Sequence, residues 1–143
     1  MKRLILAGLL LVTAARAGEP GGSAPSGTPP SAPATLATVI KHVDPAAAER
    51  LLGEKKVTVL DIRTPGEFKA GHIAGATNLD YRDQQFEQRL SAVDRSKPYL
   101  VHCASGRRST SALAVFKKLG FKEIVHLDGG LNAWQKAAKP IAK

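Results

Sequence analysis

The sequence predicts an α/β protein whose mostly parallel sheet carries helices on both faces. Two observations lead to this fold class. Apolar runs rich in β-branched residues end at polar or glycine-containing turns, which is typical of strands buried on both faces. Most of these runs are followed by a segment with the start signals or apolar spacing of a helix. Strands that alternate with helices in this way indicate a mostly parallel sheet covered on both sides.

The first 35 residues are predicted to lie outside the folded domain. Residues 1–17 have the layout of a secretory signal peptide, with two positive charges, an apolar run at 4–12 and an Ala-Arg-Ala cleavage pattern at 15–17. Residues 18–35 are dense in Gly, Pro, Ser and Ala, which is typical of a flexible linker. Residues 36–143 then form one domain of common size. We therefore expect a periplasmic or secreted protein.

The composition narrows the range of partners. The N-terminal apolar run is shorter than the roughly 20 residues that a spanning helix needs, so an integral membrane protein is not expected. The formal net charge is +9, and a basic surface favours small anionic ligands. Nucleic acid is disfavoured as a partner because an exported protein is separated from the nucleic acids of the cell. Aromatic residues, at 5%, are also too few for base stacking. A monomer is expected.

The first half of the domain is predicted to contain two helices and two strands. Asp44 caps the first helix, and Gly53 ends it. The apolar run 57–63 predicts a buried strand. The segment Thr-Pro-Gly-Glu at 64–67 is a capping box with proline in the first turn, so a short second helix follows. A short strand is expected at 76–79.

The second half continues the alternation. A polar helix is predicted at 83–92 and a strong strand at 97–103. Residues 107–120 have an apolar helical face, with basic residues near the end and a glycine as the stop signal. A further strand begins at Glu123, and a last helix covers 129–138.

The single cysteine of the chain, Cys103, stands where a strand gives way to a helix. In open α/β sheets, ligands bind beyond the carboxyl ends of the strands. A helix start offers unpaired amides and positive potential, and both lower the pKa of a nearby thiol. The loop supplies amides, hydroxyls, positive charge and a glycine turn from Ala104, Ser105, Gly106, Arg107, Arg108 and Ser109. This setting favours a reactive thiolate over the inert role that a lone cysteine usually has.

Three segments resemble the signatures of rhodanese-like domains and occur in the expected order. "LDIRTPGEFKAGHIAGATNL" (60–79) is similar to the N-terminal signature, "VHCASGRRS" (101–109) to the active-site loop and "LDGGLNAW" (127–134) to the closing motif. The resemblance implies a five-stranded parallel sheet flanked by helices on both faces. It also implies a sulfurtransferase that takes a sulfane sulfur from a donor such as thiosulfate and passes it to cyanide or a thiol.

The implied chemistry agrees with the residues around Cys103. A cysteine persulfide is an anion, and the loop amides form a backbone nest that suits one. Arg107 and Arg108 would attract a dianionic donor. No separate base and no cofactor are needed beyond the covalent persulfide, provided that the thiolate already exists at neutral pH.

The other signature residues are predicted to support the loop. Asp61, Arg63 and Glu67 are expected to form a buried network of charges and hydrogen bonds near it. His72 is expected to bond backbone groups in a tight turn. The four histidines of the chain lack the spacing of metal ligands, so no metal site is expected.

Two other functions compete with catalytic sulfur transfer. One is a persulfide carrier or sensing module without turnover, which would act through a thiol-containing partner protein. The other is a cysteine phosphatase or arsenate reductase. The phosphatase pattern Cys-x5-Arg would require arginine where Ser109 stands, whereas here the arginine lies one position earlier. The loop is therefore too short by one residue to surround a phosphate, which disfavours that class.

Overall fold

Five parallel strands lie in one sheet in the computed structural model, which describes residues 37–143. In chain order they are β1 (Val39–Val43), β2 (Thr58–Asp61), β3 (Thr77–Asn78), β4 (Pro98–His102) and β5 (Glu123–Leu127). Their order across the sheet is β1-β5-β4-β2-β3, and every neighbouring pair is parallel. The predicted fold class is confirmed. The predicted signal peptide and linker lie outside the described residues.

Five helices connect or follow the strands of this region. They are α1 (Pro45–Gly53), α2 (Pro65–Ala70), α3 (Phe86–Ser91), α4 (Arg107–Leu119) and α5 (Gly130–Lys136). Each lies within or close to a segment that the sequence predicted as helical. The main difference is α3, which begins at Phe86 because the preceding residues form turns bonded to Asp83. Among the helices of residues 37–143, none combines the length and the apolar character that crossing a bilayer would require.

Strand β1 has no counterpart in the sequence-based prediction. It is an edge strand, and its residues Lys41 and His42 face solvent while Val39 is 49% exposed. A strand with this pattern lacks the apolar run that identified the others. Its pairing with β5 supplies the fifth strand that the family resemblance implied.

The sheet separates two apolar clusters, one on each face. Neighbouring residues of a strand point to opposite faces, so Val101 of β4 packs on one side and Leu100 on the other. The first side is covered mainly by α3 and α4, through Phe86, Leu90, Ala112, Leu113 and Phe116. The second side is covered mainly by α1 and α5, through Ala48, Leu131 and Trp134. This three-layer arrangement fixes the start of α4 against the end of β4.

The carboxyl ends of the three central strands meet at one edge of the sheet. Asp61 of β2 lies opposite His102 of β4, and Val101 lies opposite His126 of β5. The chain therefore leaves β4 at Cys103 with the end of β2 on one side and the end of β5 on the other. The strongest candidate functional residue stands at the edge where such sheets bind ligands.

Candidate active site

The sulfur of Cys103 lies beneath the loop that joins β4 to α4. Cys103 is 1% exposed and carries a free thiol. The backbone amide of Gly106 donates a hydrogen bond to Sγ at 3.1 Å, and the hydroxyl of Ser109 lies 3.5 Å from Sγ. The sulfur is therefore held among donors from the start of α4.

These donors change the acidity of the thiol. Burial raises the pKa of Cys103, because a charged sulfur is less well solvated inside the protein. The Ser109 side chain and the amides of Ser109, Gly106 and Ser105 act in the opposite direction and outweigh burial. The pKa of Cys103 is therefore lowered from its ordinary value, which favours the thiolate as the reacting form.

The loop presents amides to the sulfur because its carbonyl groups are bonded elsewhere. The carbonyl oxygen of Cys103 accepts from the amide of Leu131 at 2.8 Å, and that of Ala104 accepts from Asn132 at 2.9 Å. Both amides belong to the first turn of α5, where they have no partner within the helix. The start of α5 thus holds the loop carbonyls and leaves the loop amides to the sulfur.

Two glycines permit this close arrangement. Gly106 has a φ of 91°, a left-handed conformation that side-chain-bearing residues rarely adopt, at the N-cap of α4. Gly130 has a φ of 57°, and a Cβ added there would lie only 2.4 Å from the carbonyl oxygen of Cys103. The second glycine of the closing motif is therefore explained by the approach of α5 to the cysteine loop.

Arg108 is tied to α2 by a two-pronged ion pair. Its Nη1 donates to Oε2 of Glu67 at 2.9 Å, and its Nη2 donates to Oε1 at 2.7 Å. Glu67 also accepts from the amide and hydroxyl of Thr64, which completes the predicted capping box. The bonds from Arg108 are the main cause that lowers the pKa of Glu67 to about 2. The pair remains charged at neutral pH and joins α2 to the first turn of α4.

Asp61 and Arg63 form a second, buried ion pair. The Arg63 Nε lies 3.0 Å from both carboxylate oxygens of Asp61, and its Nη2 donates to Oδ2 at 2.6 Å and to the carbonyl of Gly71 at 2.7 Å. The pair therefore joins the end of β2 to the end of α2. The sequence placed Glu67 in the same network, but in the structure Glu67 bonds Arg108 instead.

His102 lies beside this buried pair. Its Nε2 is 3.7 Å from Oδ2 of Asp61, which is too long for a hydrogen bond, and it has no hydrogen-bond partner among residues 37–143. Burial is the main cause that lowers the pKa of His102. The ring is therefore neutral at neutral pH. It occupies the core next to Cys103 without bonding the sulfur.

Two shallow depressions border the cysteine loop, with volumes of about 420 and 560 Å³. Ser105, Arg107 and Ser111 line both of them. Arg107 is exposed, and within residues 37–143 no carboxylate pairs with it. Its positive charge is therefore available to an anion in solution, in contrast to that of Arg108.

A cluster on the other side of the loop was missed by the sequence analysis. Buried His126 of β5 lies 2.8 Å from Ser109 Oγ through Nε2 and 2.8 Å from Asp128 Oδ1 through Nδ1. His42 of β1 also contacts Asp128 Oδ1 at 2.8 Å. The polar atoms of His42, His126 and Asp128 lie within 4.8 Å of one another.

The topology explains why sequence spacing concealed this cluster. His42 and His126 are directly opposite each other because β1 pairs with β5, although 84 positions separate them in the sequence. The spacing of the histidines in the sequence therefore gave no indication that these two lie together. The alternation of His126 and Asp128, which places both on one side of an extended segment, was the available signal.

His72 follows α2 and contacts both that helix and the C-terminal segment. Its Nδ1 is 3.0 Å from the carbonyl oxygen of Phe68, and its ring stacks on that of Phe68 with centroids 3.9 Å apart. Its backbone forms a bridge with Ala142. These contacts fasten the end of α2 and the C-terminal segment to each other.

Comparison with known proteins points to one family. The model of the rhodanese-like domain matches residues 44–137. The thiosulfate sulfurtransferase GlpE of Vibrio cholerae is 33% identical over 100 residues, which cover 70% of this chain and 92% of that protein.

Two solved structures extend the comparison. A rhodanese-related protein from Thermoplasma volcanium superposes with a TM-score of 0.65 at 30% identity, over 71% of this chain and 97% of that one. A protein of unknown function from Rhodopseudomonas palustris, described as a possible tyrosine phosphatase, gives a TM-score of 0.59 at 30% identity, over 72% and 85% of the two chains.

Proposed function

We propose that this chain, which belongs to the rhodanese-like domain family, is a sulfurtransferase that carries a sulfane sulfur on Cys103. The observation that supports the proposal most directly is the setting of Sγ, which accepts a hydrogen bond from Gly106 and faces the start of α4. Similarity to thiosulfate sulfurtransferases supports the same chemistry. A thiolate stabilised in this way is the nucleophile that attacks the sulfur of the donor.

The proposed reaction has two half-reactions. The Cys103 thiolate attacks the outer sulfur of thiosulfate, a bond forms between the two sulfurs, and the S–S bond of thiosulfate breaks. Sulfite leaves with the electron pair of that bond, and the cysteine becomes a persulfide anion. Cyanide then attacks the terminal sulfur through carbon, the S–S bond to Sγ breaks, and thiocyanate leaves. The thiolate is regenerated, so atoms and charge balance in both steps.

The charges of the site suit an anionic donor. Arg107 presents an exposed guanidinium at both depressions, so the donor approaches over this residue. Arg108 contributes differently, because both of its terminal nitrogens bond Glu67. We propose that Arg107 draws the donor to the loop and that Arg108 holds the loop in shape.

Phosphatase chemistry is less well supported, despite the likeness to a possible tyrosine phosphatase. The loop has its arginine one position earlier than the phosphatase pattern requires. The guanidinium of that residue, Arg108, is already bound to Glu67 rather than pointing into an empty anion site. A loop with these features suits one added sulfur better than a phosphate group.

Mass spectrometry of the intact protein after incubation with thiosulfate tests the proposal. We expect a gain of one sulfur atom on the wild type, its loss as thiocyanate when cyanide is added, and no gain on Cys103→Ser. Arg107→Ala is expected to lower kcat/KM for thiosulfate about tenfold, the size of one charge-assisted contact. Lys117→Ala removes a charge from the other end of α4 and is the matched control.

The outcomes separate the competing functions. Sulfur uptake that cyanide does not discharge would indicate a carrier rather than an enzyme. A protein that takes up no sulfur from thiosulfate and hydrolyses a phosphate ester through Cys103 would contradict the proposal.

A further inference from the structure

A continuous line of polar contacts runs from the surface to the sulfur of Cys103. Asp128 Oδ1 lies 2.8 Å from His126 Nδ1, and His126 Nε2 lies 2.8 Å from Ser109 Oγ. The hydroxyl of Ser109 in turn lies 3.5 Å from Cys103 Sγ. His126 and Ser109 are buried, whereas the carboxylate of Asp128 is 56% exposed. None of the family motifs accounts for His126.

The number of protons on this line limits its hydrogen-bonding patterns. A carboxylate only accepts, so Nδ1 of His126 carries a proton that it donates to Asp128. Ser109 has a single hydroxyl proton. When Nε2 carries no proton, the hydroxyl of Ser109 donates its proton to Nε2 at 2.8 Å and has none left for the sulfur. When Nε2 is protonated, it donates to Ser109, and the serine proton becomes available to Sγ.

One other acceptor competes for the serine proton. The carbonyl oxygen of Gly106 lies 3.1 Å from Ser109 Oγ. That oxygen already accepts from the hydroxyl of Thr110 at 2.8 Å and from its amide at 3.0 Å. A thiolate carries a full negative charge and is the stronger acceptor. The freed serine proton therefore goes to Sγ when Cys103 is ionised.

We propose that His126 is a positioning residue that, anchored by Asp128, directs the hydroxyl of Ser109 toward or away from the sulfur of Cys103. In this arrangement the thiol proton passes to Ser109 Oγ as the serine proton passes to His126 Nε2. The products are a thiolate, an intact serine hydroxyl and an imidazolium, so the net charge of the group is unchanged. The proposal rests on the proposed function only in taking Cys103 as the reacting group.

Several other groups face His126 and belong in the account. His42 of β1 lies with its ring centroid 5.0 Å from that of His126 and shares Asp128 Oδ1. Thr110 of α4 places its hydroxyl 3.5 Å from Nε2. His102 of β4 interacts electrostatically with His126, but its burial keeps it neutral at neutral pH. Asp128 is thus the anion that contacts His126 among the described residues.

The variant Asp128→Asn gives this proposal a test of sign. Through space, removing a negative charge near a thiol lowers the pKa of that thiol. The line of contacts from Asp128 to Cys103 predicts that the pKa of the thiol rises instead. Without the carboxylate the imidazolium is less stable, so the hydroxyl of Ser109 turns back toward Nε2 of His126. Because the Asp128 side chain is exposed, we expect the variant to fold as the wild type does.

The experiment is the rate of iodoacetamide alkylation of Cys103 as a function of pH in the full chain. We expect the midpoint to rise by about one pH unit in Asp128→Asn and by a similar amount in His126→Gln, the size of a charge-assisted hydrogen bond partly lost. In Ser109→Ala the midpoint rises, and adding Asp128→Asn then raises it no further, because the chain of contacts is already broken and only the through-space effect remains.

Two controls and the contrary result complete the test. Glu123→Gln removes a carboxylate from the start of β5, at the opposite end of that strand from His126 and Asp128. Ser111→Ala removes a hydroxyl from α4, the helix that also contains Ser109. Neither variant is expected to move the midpoint. A midpoint that falls or stays constant in Asp128→Asn overturns the proposal. Alkylation needs no sulfur donor. Failure of sulfur uptake in the wild type would therefore refute the proposed function, while the alkylation profile decides the role of His126 separately.

Discussion

The starts of α1 and α2 differ from those of α4 and α5 in a way that separates scaffold from site. In α1 and α2 the first free amides are bonded by the helix's own cap, from Asp44 to the amide of Ala47 and from the reciprocal box of Thr64 and Glu67. In α4 and α5 the N-cap is a glycine, which has no side chain to bond the helix amides. The amides at these two starts bond the cysteine loop instead.

The starts of α4 and α5, which lack a side-chain cap and are called open starts, bond different groups of the cysteine loop. The amides that lead into α4 face the sulfur of Cys103, and those of α5 bond the carbonyls of Cys103 and Ala104. A side-chain cap would satisfy the same amides locally and contribute about 1 kcal/mol to stability. A helix start without a side-chain cap, next to a strand end, therefore leaves donors available for an anion.

The largest expected effect comes from closing the open start of α5. In Gly130→Ala the new Cβ would lie 2.4 Å from the Cys103 carbonyl oxygen, in a left-handed conformation that alanine disfavours. We expect a loss of about 3 kcal/mol in the free energy of unfolding, from backbone strain and overpacking. To relieve this contact the cysteine loop would have to move, which would turn its amides away from the sulfur and abolish sulfur uptake. Denaturant unfolding followed by the fluorescence of Trp134, the single tryptophan, measures the first quantity.

A matched glycine in a capped helix provides the control for this variant. Gly66 lies in the first turn of α2, and a Cβ added there would meet no atom within 4 Å. Gly66→Ala is expected to keep both stability and sulfur uptake. Equal behaviour of the two variants would remove the distinction between capped and open starts.

A smaller effect is expected at a capped start. Asp44→Ala removes the bond of 2.7 Å to the amide of Ala47 and is expected to cost about 1 kcal/mol of stability. Sulfur transfer from thiosulfate to cyanide should be unchanged when folded protein is assayed, because the Asp44 side chain bonds the amide of Ala47 within its own helix turn. A loss of kcat without a loss of folded protein would show that this capped start also serves the site.

Much of the fold could be predicted from the sequence because its signals are local. Asp44, the capping box at 64–67 and the stop at Gly120 each act within a few residues, so the helix bounds follow from them. The buried strands were predictable because each is an apolar run in the sequence. Strand β1 could not be found in this way, because an edge strand is half exposed and is specified by its partner β5.

The cysteine loop is the part of the candidate site that the sequence predicted most directly, because its residues are contiguous. Cys103 and the loop to Ser109 form one segment, so their position at a strand end was legible. The bond between Arg108 and Glu67 and the contact of His126 with Ser109 join residues that are distant in the sequence. Their pairing depends on strand order and register, which local patterns do not encode.

We expect the open start of α4 to hold Cys103 as a thiolate. Because the chain has one cysteine, the ultraviolet absorbance of the thiolate can be followed against pH without interference, with Cys103→Ser as the baseline. The account predicts a midpoint below the value of about 8.5 for a free cysteine. The thiolate then adds stability that is fully present above that value and is lost as the pH falls through the lower pKa of the folded state. A midpoint at or above the free value would contradict the account.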